Sequence, residues 1–296
     1  MRNAFIDQLT FEARENERIF LLVGDLGFNV VDPFAHAFPR RFLNVGVAEQ
    51  NMAGVAAGLA LEGYSVFTYS IANFPTLRCL EQIRNDIAYH NLDVTVVAVG
   101  GGFSYGPYGM SHHATEDLAI MRALPNMTVC APGDPLETRY VTSNLLKFKG
   151  PKYLRLGKGG EKNIHGDVPQ IPLGEALPLL DQGGIAVVTT GSILAWVHDQ
   201  VSRQPGYSLY SFPVVKPFPL ASLRAICQKH MQIICVEEHQ SSGGFGSAVL
   251  EAVHTLHSTG AIGQIPAISR IAIPDAFIEI AGTQDYLRDA AGLRIR

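Results

Sequence analysis

Val94-Thr95-Val96-Val97-Ala98-Val99 runs directly into Gly100-Gly101-Gly102. Six β-branched or small residues with no polar alternation suit a strand covered on both faces, and the glycines closing it mark a tight turn at its carboxyl end. Ile19–Val23 and Ile185–Val188 repeat the pattern. Helical periods lie between these runs, at Phe5–Ala13, Asn51–Leu61, Leu77–Tyr89, Glu116–Ala123 and Pro135–Phe148. Strands alternating with helices predict an α/β fold with mostly parallel sheets. The rhythm stops after Tyr153-Leu154-Arg155-Leu156, where residues 157–172 are glycine, charge and proline without period. It restarts with strands at Ile185–Thr189, Tyr207–Phe212, Gln232–Val236 and Ile268–Ile273, and helices at Ile193–Val201, Ala221–His230 and Ser247–His257. Two α/β domains are expected, 1–156 and 173–296, each a mostly parallel sheet flanked by helices, joined by a linker over 157–172.

Length and composition agree. The chain has 296 residues, enough for two domains at about 100–200 residues each. Its 47% hydrophobic and 17% charged residues exclude a disordered chain. With 23 basic against 27 acidic residues the net charge is −4, which argues against a nucleic-acid or anionic-membrane surface. The longest apolar stretch, near Met52–Leu61, falls short of the ~18 residues of a membrane span. Asp7 interrupts what would be the apolar region of a signal peptide, so the cytoplasm is the expected location. Cys79, Cys130, Cys227 and Cys235 lie singly, without metal spacing, and read as small core residues.

Three segments carry chemistry. In Asn44–Gly54, Glu49 stands where a small-residue helix begins. A carboxylate there is favoured by the helix dipole, and the same position, if buried, presents an acid to a ligand nitrogen. Gly100–His113 follows a strand, at the edge where open α/β sheets bind ligands, and its His112-His113 pair suits proton transfer or oxyanion binding. Within it, Gly102-Phe103-Ser104-Tyr105-Gly106 matches the nucleophile elbow of α/β-hydrolases, although no helix follows Ser104 at once, as that elbow requires. Val236–Ser247 reads either as an anion-binding glycine loop or as a tight turn with packed helix, lacking the Lys-Ser/Thr of a P-loop.

Together these stretches resemble the C-terminal half of transketolase, in particular the separately encoded C-terminal subunit of split transketolases. The likeness is carried by Phe42–Gly63, Glu81–Ala88, Ser111–Pro132 and Val236–Ala248, and extends over nearly the whole chain. It implies a pyrimidine-binding domain followed by a transketolase C-terminal domain, thiamine diphosphate as cofactor, and transfer of a two-carbon ketol unit between sugars or sugar phosphates. It further implies that Glu49 holds N1′ of the aminopyrimidine and favours its imino tautomer, that Phe74 stacks on that ring, and that Ile71 and Leu26 lie beside it. His112 is expected to serve catalysis at the substrate, with Arg155 on a sugar phosphate and Tyr108, His113 and Asp25 on the substrate side. The family's diphosphate segment, Gly-Asp-Gly, is missing: Gly24-Asp25-Leu26 and Gly133-Asp134-Pro135 both fail it. No metal ligand is therefore assigned here. Mg²⁺ or Ca²⁺ and the diphosphate are expected on a separate N-terminal subunit, in an α2β2 assembly.

Two departures bear on substrate. Tyr108 stands where the family has an aspartate that bonds a donor hydroxyl, and Gly100 where it has a second phosphate-contacting histidine. Both point away from the usual pentose-phosphate pair. Within the superfamily, the alternative is the β subunit of a 2-oxoacid dehydrogenase E1. From another class, the alternative is a hydrolase using Ser104.

Overall fold

The computed structural model describes residues 1–295. Strands β1 (Ile19–Val23), β2 (Phe42–Asn44), β3 (Ser65–Ile71), β4 (Val94–Val99), β5 (Thr128–Cys130) and β6 (Lys152–Leu156) precede the linker; β7 (Leu177–Asp181), β8 (Ile185–Thr189), β9 (Tyr207–Ser211), β10 (Val214–Lys216), β11 (Gln232–Gln240) and β12 (Ala267–Ile273) follow it. The first sheet has the order β10-β5-β6-β4-β3-β1-β2 and the second β12-β11-β8-β9-β7. All neighbours pair in parallel except β10 on β5 and β7 on β9. The expected fold class, two mostly parallel sheets flanked by helices, is what the chain adopts.

β4 is buried at every position, as an apolar run covered on both faces must be. β6 is buried along its whole length too, although it carries Lys152 and Arg155. Such charges are tolerated in a core strand only when paired. Lys152 is held by Asp93 and the Gly150 carbonyl, and Arg155 by Asp117. The linker contains no helix or strand, yet it is fastened at three points. The Met1 amine donates to Glu161 at 2.8 Å, Asp134 accepts from the Ile164 and His165 amides at 2.7 and 2.9 Å, and Tyr140 donates to the Pro172 carbonyl at 2.7 Å. β10, from beyond the linker, closes the edge of the first sheet, so the two halves share a strand. One apolar cluster also runs through both, from Met52, Ile83 and Leu118 to Phe212, Leu223 and Val249.

Helix Pro135–Leu145 shows what the sequence places at Gly133-Asp134-Pro135. Asp134 caps it, accepting from the Glu137 amide at 2.7 Å. Glu137 is itself fully buried, and burial pushes its carboxyl up to about 7. Because the folded value lies above the ordinary 4.5, the stability tied to the protonated form is complete below about 4.5 and is lost as pH rises through about 7. Glu137→Gln keeps an acceptor for the Gly133 amide and removes the titration. Its melting temperature is expected to gain on the wild type as pH rises from 5 to 8, in paired thermal scans across that range.

Candidate active site

Parallel strands bring the loops after β1, β3, β4 and β11 to one edge of the molecule. The loop after β1 turns sharply, with Asp25 at φ 54°; its amide donates to Asn44 Oδ1 at 3.0 Å, and Asn44 Nδ2 donates back to Asp25 Oδ1 at 3.0 Å. Asp25 is exposed at this turn, and half-buried Leu26 behind it packs on the apolar cluster that contains Tyr69. Glu49 is the first residue of helix Glu49–Leu61 and only 1% exposed. Met52, Ala53, Thr68, Pro75, Cys79 and Val96 wall a dry pocket around it. Burial, followed by the nearby Glu49 charge, pushes the Cys79 thiol up to about 12, so Cys79 remains protonated there. The acid is therefore more than a helix-start charge: it is buried beneath the sheet edge.

Past β3, at half-buried Ile71, the chain turns back, and the Phe74 amide donates to the Ile71 carbonyl at 2.8 Å. The helix expected over Leu77–Tyr89 begins only at Leu80 and becomes a π-helix over Ile83–Ala88, which leaves 73–79 as a free-standing turn beside Glu49. Phe74 and Arg78 project from it. Arg78 Nη1 donates to Glu49 Oε2 at 2.7 Å, and its Cζ stands 4.7 Å over the Phe74 ring. Ser70 offers Glu49 a longer bond at 3.4 Å. Phe74 also meets His112 edge-on, with centroids 5.5 Å apart. Asn73 ties the two loops together by donating to the His113 carbonyl at 2.6 Å. A groove of about 280 Å³ opens here, lined by Asn73, Phe74, Arg78, Ser111, Glu116 and Phe277 among others.

The glycine loop after β4 is built by close approaches. Gly102 and Ala114 exchange amide bonds at 2.8 and 2.9 Å, and the Phe103 amide donates to Glu238 Oε1 at 2.7 Å. At Gly102, φ is +65° and a Cβ would collide with that same oxygen, so only glycine fits. Two 3₁₀ turns, Gly106–Tyr108 and Met110–His112, present exposed Tyr108 and half-buried His112 side by side, with their rings 5.1 Å apart. His113 turns inward. It is 5% exposed, meets Phe103 edge-on, and faces the Gly106 carbonyl at 3.4 Å. Burial holds its imidazole below the ordinary value, so it is neutral at neutral pH, and it lines the same groove as Asn73 and Phe74.

Glu49, Phe74 and His112 thus converge, with Ile71, Leu26, Tyr108 and Asp25 on the same edge. Arg155 does not join them. Its Nε donates to Asp117 at 2.9 Å and its Nη2 to the Ala114 and Glu238 carbonyls at 2.8 and 3.0 Å, and it is 4% exposed. This geometry gives the phosphate-binding role expected for Arg155 no support: its Nε and Nη2 are bonded inside the protein, bracing the histidine loop. The hydrolase alternative fails as well. Ser104 is buried and donates to the Gly101 carbonyl at 2.8 Å, and its other bond comes from Gln284 at 3.4 Å rather than from an imidazole. The Val236–Ser247 loop proves to be filled from within. Glu237 accepts from the Phe245 and Gly246 amides at 2.6 and 2.8 Å, so a side chain of the protein already takes that helix start.

Sequence reasoning passes over Arg78, Asn73 and Glu116. Arg78 lies just before the Glu81–Ala88 stretch that carries the likeness, but a lone cation before a helix carries no signal of its own.

Comparison with known proteins decides the family. Residues 1–160 match the transketolase pyrimidine-binding domain and residues 174–294 the transketolase C-terminal domain. The chain belongs to the transketolase family. It is 34% identical over 301 residues to a putative transketolase C-terminal section from Methanocaldococcus jannaschii, covering 99% of this chain and 92% of that protein. It is 32% identical over 258 residues to one of the subunits of an apulose-4-phosphate transketolase from Phocaeicola vulgatus, covering 85% and 83%. A solved split-gene transketolase, an inactive β4 tetramer, superposes with a TM-score of 0.84 at 31% identity over 99% of this chain and 93% of the other. These are transketolase sections rather than dehydrogenase β subunits, and the chain is a subunit of a transketolase-type transferase. The pyrimidine-binding domain implies thiamine diphosphate.

If Arg155 acts through Asp117, removing it leaves that buried carboxylate without its ion-pair partner, with only the Tyr153 hydroxyl at 2.6 Å, which costs about 3–5 kcal/mol. Arg155→Ala is expected to lose that much unfolding free energy in a denaturant titration. A variant as stable as the wild type would return Arg155 to the substrate.

Proposed function

We propose that this chain, with a separately encoded subunit that carries the diphosphate and its Mg²⁺ or Ca²⁺, forms a thiamine-diphosphate-dependent enzyme moving a two-carbon ketol unit between sugars. The reading rests on one observation above all: a carboxylate buried at the sheet edge, Glu49, beside a half-buried aromatic ring, Phe74. These residues fit an aminopyrimidine. The carboxylate oxygens accept N–H bonds in a dry pocket, the ring offers a stacking face, and the planar Arg78 guanidinium makes both kinds of contact there now.

Thiamine diphosphate, when bound, supplies the stabilised carbanion on which ketol transfer depends. Glu49 would hold the ring nitrogen and Phe74 the ring face, with Ile71 and Leu26 excluding water. His112, whose Nδ1 lies 3.0 Å from Ser111 Oγ, would hold or pass a proton at the substrate oxygen, and Tyr108 beside it would frame the sugar. Asp25 would reach the site from the turn after β1. No helix among the described residues is long and apolar enough to cross a membrane. We place the enzyme in the cytoplasm as an α2β2 heterotetramer. A half-site of this kind gains function only on docking, and the related split-gene protein is an inactive β4 tetramer.

On the substrate side, Arg155 is turned inward and Gly100 offers no side chain, so this half of the site brings little to a phosphate. The donor and acceptor are inferred to differ from xylulose 5-phosphate and ribose 5-phosphate, and the naming of a relative for apulose 4-phosphate supports a different sugar.

Calorimetry with thiamine diphosphate and Mg²⁺ tests the reading, on this chain alone and with the diphosphate-binding subunit. Binding is expected only with the partner, and Glu49→Ala is expected to lower turnover by about 10²- to 10⁴-fold. Tight binding by the lone chain would overturn the split site, and full rates with the pentose-phosphate pair would overturn the substrate inference.

A further inference from the structure

Arg78 links the two residues that the pyrimidine site depends on. Its side chain is 44% exposed while its partner Glu49 is 1% exposed, so the guanidinium reaches from the solvent side to the buried carboxylate. One planar group makes two contacts at once there: an N–H bond to Glu49 Oε2 at 2.7 Å, and a cation–π contact with Phe74 at 4.7 Å. An aminopyrimidine is also planar, also donates N–H bonds, and also stacks. If it binds Glu49 and Phe74, it meets the Oε2 and ring contacts that Arg78 now holds, while Oε1 carries only the 3.4 Å Ser70 bond.

We propose that Arg78 is an internal ligand of the pyrimidine site, holding the place of the cofactor's aminopyrimidine on Glu49 and Phe74 and swinging out before the cofactor seats. The inference rests on the reading of this edge as the pyrimidine site. Its physical basis is the cost of leaving Glu49 alone. A carboxylate walled by Met52, Ala53, Pro75 and Val96 needs a charge-assisted partner, and the only other side chain bonded to it among the described residues is Ser70, at 3.4 Å. An arginine on a long, flexible stem supplies that partner and can be displaced, since its outer half is already in water. The groove of about 280 Å³ that Arg78 lines gives the released side chain room to turn into. Arg78 thereby acts as a positioning residue: it keeps the carboxylate paired and ordered, and it competes with the ring for the same two contacts.

A site that is available only when Arg78 is out has its affinity scaled down to the fraction of time it is open. Removing the competitor should therefore tighten cofactor binding, whereas removing an ordinary contact would weaken it. Arg78→Ala, in complex with the diphosphate-binding subunit, is expected to bind thiamine diphosphate with Mg²⁺ about tenfold more tightly by calorimetry, on the order of 1.4 kcal/mol. Arg78→Lys keeps the charge but loses the planar fork, and is expected to fall between the alanine variant and the wild type. Millimolar methylguanidinium is expected to weaken cofactor binding to Arg78→Ala back toward the wild-type value, while hardly affecting the wild type. A variant that unfolds would show in its circular dichroism, and the lysine variant then carries the test. Unchanged or weaker binding in folded variants overturns the role of Arg78. If the wild-type complex binds thiamine diphosphate and Glu49→Ala weakens it, the pyrimidine-site reading survives that result. No binding by the wild-type complex overturns both.

Discussion

The carboxylate of Glu238 is the contact on which the arrangement of the sheet-edge loops depends. It is 2% exposed and bonds two separate segments: the Phe103 amide of the glycine loop at 2.7 Å, and, in helix Gln284–Ala290, both the Gln284 side-chain amide at 2.8 Å and the Arg288 guanidinium. The Glu238 carbonyl also accepts from Arg155, which reaches Asp117 and the Ala114 carbonyl. Loops at the carboxyl edge of a parallel sheet have no ladder to order them, and here buried charge takes that part. Taking such charges out of water offsets most of what their attraction gains. We therefore read the network as a device for geometry rather than for net stability: every member must be in place before any of them is satisfied. His112 is held where it is because the loop bearing it is anchored at Gly102, Phe103 and Ala114 to this frame.

Glu49 follows the opposite logic. Its partner comes from a free-standing turn, and that partner is half in solvent. One buried carboxylate in this molecule is thus locked into a network and another is left with a single displaceable cation. The difference tracks where each sits: Glu238 builds the edge, and Glu49 lies buried beneath it. The interrupted helix is what makes this possible, because a regular helix from Leu77 onward would have carried Arg78 along its surface instead of leaving it on a turn above Phe74.

Much of the fold is legible in the sequence because its central strands are covered on both faces. β1 and β4 coincide with the apolar runs Ile19–Val23 and Val94–Val99. β3 escapes such a reading, since Ser65, Thr68 and Ser70 break the run; those hydroxyls are buried, and Ser70 points to Glu49. β6 hides behind Lys152 and Arg155, whose partners Asp93 and Asp117 lie 59 and 38 residues away in the chain. β10 carries no local signal at all, because it is made by pairing with β5 across the linker. The same division holds at the site. Glu49 and His112 lie in segments whose spacing and resemblance mark them, and Phe74 is marked by the resemblance alone. The inward turn of Arg155 and the bridging position of Arg78 are tertiary facts, and a residue type alone does not distinguish a phosphate clamp from a brace.

Two departures from the family pattern are linked through Tyr105. Gly100 stands where a histidine is expected, and at φ +92° a Cβ there would run into the Tyr105 ring. The tyrosine ring therefore requires the glycine. Tyr105 in turn packs against Tyr108, with centroids 6.1 Å apart, and Tyr108 against His112 at 5.1 Å. Tyr105 and Tyr108 thus form an aromatic ledge beside the histidine. A histidine at Gly100 would collide with the Tyr105 ring, so those two positions are coupled by direct contact, whereas Tyr108 is exposed and is tied to them only through ring packing.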